Sequence, residues 1–322
     1  MTATHTAVGR STKLSVIGAG SVGTAVAYAC LVRGSADVMA LFDTNPGKVR
    51  AEILDLNHGT QFAPSCLIEG GDDIAVTAGS DLVVVTAGAK QQPGQSRLEL
   101  AAANVALVRE LTPRLLAVSP DAVIVFVSNP VDIVTYAAIS ATGVTDGRIF
   151  GSGTVLDSGR LRYLLAHRAG VAVENVHAFV VGEHGDSEVA LWSGATVGGV
   201  PVDAFTIDGE PVFGPEVRTD LFHEVVRSAY EIIHGKGATN LAIGLSSARI
   251  VEAVLRNQRR VLPVSTLQTG RHGLRDVCLS LPTVVDSLGA HTVLEVPLSE
   301  EEASGLAASA ATLHEVQSSL DL

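Results

Sequence analysis

The chain has 322 residues, 47% of them hydrophobic, which is more than one compact core usually holds, so two closely joined lobes are expected. Its 34 acidic residues against 22 basic ones leave a formal charge of −12, which argues against nonspecific binding to nucleic acid or an anionic membrane. Cys30, Cys66 and Cys278 are scattered without metal-ligand spacing and the opening MTATHTAVGRST lacks the apolar stretch of a signal peptide, so a soluble, cytoplasmic protein with reduced thiols and no metal is expected.

A β-rich run from Lys13 to Ala19 passes directly into Gly18-Ala19-Gly20-Ser21-Val22-Gly23 and then into an apolar, helix-like stretch from Thr24 to Val32. Between a strand and a helix these glycines have a mechanism. Gly18 allows the tight turn, Gly20 lets a pyrophosphate approach the backbone, and Gly23 lets the helix pack on the strand. A second strand, Val38 to Phe42, ends in Asp43, twenty residues after Gly23. A carboxylate there accepts from the adenosine ribose hydroxyls and favours NAD over NADP. Pro46 opens a helix that runs to His58, and Asp81 to Thr86 is an apolar strand of the buried parallel kind, ending at Gly88 and the polar loop from Ala89 to Arg97. Helical periodicity then spans Leu98 to Val118, and a further strand, Ala122 to Val127, ends in Ser128-Asn129-Pro130. The alternation predicts an α/β fold, a Rossmann-type doubly wound parallel sheet.

Beyond Phe150 the pattern changes. Val155 to Arg168 is a helix whose Asp157 and Arg160 share a face, and Val173 to Val181 is a strand leading into Gly182-Glu183-His184-Gly185-Asp186. His184 is the candidate acid/base, flanked by glycines that permit close approach and positive φ. Helices are expected over Glu216 to His234 and Thr239 to Arg256, a small antiparallel sheet from Arg260 to Leu267 and Val277 to Val285, and a terminal helix from Ser299 to Leu320. The expected organisation is a tail over 1–12, a nucleotide-binding domain over 13–151 and an α+β substrate domain over 152–322, with the site at their junction.

In this order, GAGSVG, QQPGQSR, VSNPVD, LDSGR, GEHGD and KGATNLAIGLS resemble the L-lactate/L-malate dehydrogenase family over nearly the whole chain after the tail. The resemblance implies NAD as cofactor and His184 as the group that gives and takes the proton. It implies Asp157 as the carboxylate partner of His184, Arg160 as the anchor of the substrate carboxylate and Arg97 as the loop residue that polarises the carbonyl. Asn129 and Thr239 would line the pocket. Val22, Asp43, Lys48, Gly88, Ala89, Val127, Ser128, Asn129 and Ser152 would join the glycines in holding the dinucleotide. Family members acting on malate carry an arginine six residues before the loop arginine, where this chain has Gln91, so the resemblance implies pyruvate and L-lactate as substrates. Malate dehydrogenase and a catalytically silent dinucleotide-binding protein are the alternatives. Arg162 and His177 match the positions at which allosteric members hold fructose 1,6-bisphosphate, and the family implies a homotetramer. Ala238 departs from the tyrosine common before the pocket threonine in bacterial members.

The roles agree with elementary chemistry. An imidazolium supplies a proton to a developing alkoxide, a carboxylate fixes its tautomer, and a planar guanidinium pairs with a substrate carboxylate through two parallel bonds.

Overall fold

A computed structural model describes residues 11–89 and 97–322. Six strands, β1 (Lys13–Ile17), β2 (Val38–Phe42), β3 (Leu67–Gly71), β4 (Leu82–Val85), β5 (Val123–Phe126) and β6 (Ile149–Gly151), run parallel in the order β3-β2-β1-β4-β5-β6. The order reverses between β1 and β4, where such sheets open a crevice at their carboxyl ends.

Strand alternation explains why these runs are apolar throughout. Leu14, Val16, Leu82, Val84, Val123 and Val125 face one layer, with Val26 and Val251, while Ile17, Val83, Val85, Ile124 and Phe126 face the other, with Val108, Leu111 and Val134. A strand covered on both faces has no polar side to show. The covering helices of this half are α1 (Ser21–Arg33), α2 (Pro46–Gly59), α3 (Arg97–Val118) and α4 (Val131–Thr142). Local chemistry sets their ends. The Asn45 side chain accepts from the Lys48 amide at 3.0 Å to open α2 before Pro46, and Gly34, at φ 58°, closes α1.

The second half supplies α5 (Val155–Ala169), α6 (Pro215–Lys236), α7 (Leu241–Leu255) and α8 (Glu300–Ser319), the last opened by a Ser299/Glu302 capping box. Its short strands are β7 (Val176–His177), β8 (Val180–Val181), β9 (Val189–Ala190), β10 (Thr196–Val197), β11 (Val200–Pro201), β12 (Thr206–Ile207) and β13 (Glu210–Pro211). The strand expected over Val173 to Val181 is thus broken. A 3-10 turn occupies Val173–Asn175, β7 pairs with β10, and β8 pairs with β9.

The expected small antiparallel sheet is also corrected. β14 (Arg260–Thr269), β15 (Arg275–Asp286) and β16 (Gly289–Val293) extend the nucleotide-binding sheet to nine strands, because β14 joins β6 through the pair Ser265 and Gly151. A Cβ on Gly151 would lie 2.7 Å from Thr135 Oγ1 and 3.0 Å from Ser265 Cβ, so the junction requires glycine. α7 crosses back to pack on α1, where Glu252 receives Arg33 Nε at 3.0 Å and Nη2 at 2.5 Å. Among the described residues no helix is long and apolar enough to cross a membrane.

Candidate active site

The first βα turn forms the glycine cradle. Gly18 takes φ +98°, and a Cβ on Gly23 would stand 1.8 Å from Gly18 O, whereas one on Gly20 would meet nothing within 4 Å. Two glycines therefore make the turn and the third keeps an open approach to the amino end of α1, whose first amides point outward. Asp43, at the end of β2, is tied to this turn. Its Oδ2 accepts from the Ala19 amide at 2.7 Å and its Oδ1 from Asn45 N at 2.9 Å. Val22 packs on the core from the first turn of α1, and Lys48 is exposed in the first turn of α2. This cradle, with an acid beside it, fits a dinucleotide.

The neighbouring strand ends are joined by a residue that the sequence reading missed. Asn104 of α3, buried, accepts from the Ala89 amide at 2.7 Å and donates to Asn129 O at 2.7 Å, and its Oδ1 would lie 3.3 Å from a Cβ on Gly88. Ser128 Oγ donates to Ala87 O at 2.6 Å, Val127 N to Val85 O at 2.9 Å, and Ser152 N to Phe126 O at 2.7 Å. Gly88, Ala89, Val127, Ser128, Asn129 and Ser152 thus gather at one sheet edge.

His184 sits in the loop between β8 and β9, held from three sides. Gly182 and Ser280 of β15 exchange backbone bonds at 2.9 Å, Ser309 of α8 receives the Glu183 amide at 2.7 Å, and Asp132 of α4 accepts the His184 amide through Oδ2 at 2.7 Å. Gly182 adopts φ +88°, with its Cβ position only 2.7 Å from Ser309 Oγ, while Gly185 does not take positive φ. Asp157 on α5 then joins both catalytic candidates. Its Oδ2 lies 2.7 Å from His184 Nδ1, and its Oδ1 accepts from Arg160 Nη1 at 2.6 Å.

Burial here sets the protonation states. It disfavours the charged imidazolium, but the Asp157 carboxylate on Nδ1, with Asp132 and Glu188 nearby, outweighs it and carries the His184 pKa up to about 9. Burial works against the Asp157 charge too, yet His184 and Arg160 hold that carboxyl below its ordinary value. Asp132, enclosed beneath the loop, is pushed up by burial to about 6 despite the Ser265 hydroxyl and the His184 amide. Glu188, a second residue without a role in the sequence reading, brings a carboxyl oxygen within 4.8 Å of both Asp157 and His184. Burial and then the Asp157 charge push it up to about 9. Its place in GEHGDSE, four residues after His184, was the available signal.

Thr239 is half-buried in the turn between α6 and α7, and the expected helix from Thr239 begins at Leu241 instead. Gln91 lies outside the described residues, as does the side chain of Arg97, whose backbone opens α3. Arg162 donates from Nε to Ala178 O at 2.8 Å and stacks over Phe179 with its Cζ 5.1 Å from the ring centre; His177 is exposed on β7.

A glycine cradle at a topological switch point, joined through one sheet to a histidine–carboxylate–arginine group, defines an NAD-dependent oxidoreductase. The profile of the lactate/malate dehydrogenase NAD-binding domain matches residues 12–151, and that of the family's alpha/beta C-terminal domain matches 154–319; the chain belongs to this family. It is 48% identical to an L-lactate dehydrogenase of Bifidobacterium animalis subsp. lactis, over 95% of this chain and 96% of that protein. It is also 48% identical to L-lactate dehydrogenase A of Hordeum vulgare, over 97% of this chain and 88% of that one. The fold superposes on a lactate dehydrogenase from a Medee basin deep-sea metagenome with a TM-score of 0.93, at 36% identity over 97% of this chain and 100% of that chain. The ligand-bound minor L-lactate dehydrogenase of Enterococcus mundtii gives 0.92 at 36% identity, covering 96% of this chain and 98% of that one.

Proposed function

We propose that the protein is an L-lactate dehydrogenase that interconverts pyruvate and L-lactate in the cytoplasm. The observation that carries the reading is Asp157 bonded at once to His184 at 2.7 Å and Arg160 at 2.6 Å, a proton carrier and a carboxylate anchor set by one residue. With Nδ1 engaged by Asp157, the Nε2 of His184 is the nitrogen left to protonate the substrate oxygen in reduction and to accept the proton in oxidation. Arg160 keeps its remaining donors for the substrate carboxylate, which fixes the face presented to the cofactor. NAD, held by Gly18, Gly20, Val22, Gly23, Asp43, Lys48 and the strand ends from Gly88 to Ser152, supplies the hydride chemistry when bound. Asn129 and Thr239 line the pocket, and Arg97 places a further positive charge at the carbonyl.

Gln91 assigns pyruvate over oxaloacetate, because a second substrate carboxylate would meet no guanidinium there. The test is the fall of nicotinamide absorbance with NADH and pyruvate, then oxaloacetate. Faster turnover of pyruvate is expected; a preference for oxaloacetate, or no turnover of either, refutes the reading.

The reading extends to assembly and control. Tyr28 and Val32 on α1, Leu54 on α2 and Leu241 and Leu245 on α7 are exposed, apolar surface that suits association into a homotetramer. Arg162, whose Nε donates to Ala178 O at 2.8 Å, and His177, exposed on β7, are the residues that would receive a phosphate of fructose 1,6-bisphosphate. Pyruvate saturation curves with and without the bisphosphate should differ in wild type and coincide in Arg162→Gln; superimposable wild-type curves refute the effector site.

A further inference from the structure

Glu188 is 7% exposed, and among the described residues no donor is bonded to its carboxyl group. Its oxygen lies within 4.8 Å of an Asp157 oxygen and a His184 nitrogen. Two carboxylates that close, with water largely excluded, cannot both hold a charge cheaply, and the one with fewer partners takes the proton. Asp157 has His184 and Arg160 as partners at 2.7 and 2.6 Å. Glu188 has neither.

We propose that Glu188 is a charge-setting acid of the catalytic pocket, held in its neutral, proton-bearing form beside Asp157 so that the pocket accepts an anionic 2-oxo acid. The assignment rests on the reading of His184 as the proton donor. With Glu188 neutral, the group of Arg160, protonated His184 and Asp157 stands one charge more positive than it would beside an ionised Glu188, which favours entry of the substrate carboxylate. Once Glu188 ionises, that advantage is gone and the same substrate meets a field weaker by one positive charge.

The other titratable groups around it do not replace it. Asp132, from α4, stands behind the loop and holds the His184 amide at 2.7 Å, and Glu183 is engaged by the Ser187 hydroxyl. The direction in which burial and Asp157 displace Glu188, up to about 9, agrees with a neutral acid at neutral pH.

Glutamine copies the shape of the neutral acid and cannot ionise, so Glu188→Gln should keep kcat/KM for pyruvate near neutral pH within about threefold of wild type, well under one charge-assisted bond. Above about 9, the wild type must take up two protons to bind pyruvate and the variant one. The affinity of the wild type should then fall about a hundredfold per pH unit and that of the variant about tenfold. Infrared spectroscopy gives an independent reading. The carbonyl band of a protonated carboxyl group should be present in the wild type near neutral pH, absent from Glu188→Gln, and lost from the wild type on titration past about 9. Absence of that band, parallel alkaline limbs, or a variant impaired by about tenfold or more near neutral pH each overturn the proposal. The band is read without substrate, so it stands or falls apart from the lactate dehydrogenase reading, whose failure appears as wild type that does not turn over pyruvate.

Discussion

His184 owes its pKa to two opposed effects, and removing one exposes the other. In Asp157→Asn the carboxylate that supports the imidazolium is gone while burial remains, so the His184 pKa should fall from about 9 toward or below its ordinary value. The sign follows directly. Reduction of pyruvate needs the charged ring, which exists below its pKa, so the alkaline limb of kcat/KM for pyruvate should move to lower pH in the variant. Near neutral pH the loss should be about a hundred- to ten-thousandfold, the worth of a positioned acid. An alkaline limb at the wild-type position would separate Asp157 from the proton. His184→Ala should lose turnover by a similar factor but bind NADH nearly as wild type, measured by fluorescence titration, because the cradle at Gly18 to Gly23 and Asp43 lies on other elements.

At the scale of elements, the catalytic loop is placed by packing that no local pattern displays. Asp132→Ala would leave the His184 amide, now bonded at 2.7 Å, without its acceptor beneath the loop. A loss of about 1–3 kcal/mol is expected in chemical denaturation. A stability equal to wild type would show that the loop is held by Ser280 and Ser309 alone. The sequence made the glycine turn, Asp43, the Asp157–Arg160 face and His184 legible, because each depends on residues close in the chain or on spacing. Other elements escaped it. α4 is buried on nearly every side from Val131 to Ile139, so it shows no amphipathic period, and β3 ends in Gly70, whose Cβ would meet Leu41 O at 2.1 Å, so its composition is set by a neighbouring strand. Asn104 and Glu188 acquire meaning only from partners in other elements, and the attachment of β14 to β6 rests on the pair Ser265 and Gly151, 114 residues apart.

For the whole molecule, the decisive feature is that the two halves share a sheet and a helical layer. Glu252 of α7, 4% exposed in its side chain, anchors Arg33 of α1, and Arg256 reaches Gly34 O at 2.6 Å from the same helix end. Removing the carboxylate in Glu252→Ala should cost about 1–3 kcal/mol, between the values for buried and exposed pairs because Arg33 keeps 35% of its side-chain surface in water. The same continuity governs how ligand binding spreads. NADH is held chiefly by the first half in this reading, and β14, β15 and β16 are hydrogen-bonded into the sheet that bears the cradle while α7 covers its face. Stabilisation by the dinucleotide should therefore reach the catalytic loop. At a hundredfold excess over its dissociation constant, NADH contributes about 2.7 kcal/mol to the folded state by mass action. In calorimetry the protein should unfold in one transition that moves upward as a whole with NADH, and hydrogen exchange at the amides of Gly182 and His184 should slow with it. Two resolved transitions, of which only one responds to NADH, would mean that the β6–β14 junction does not couple the halves.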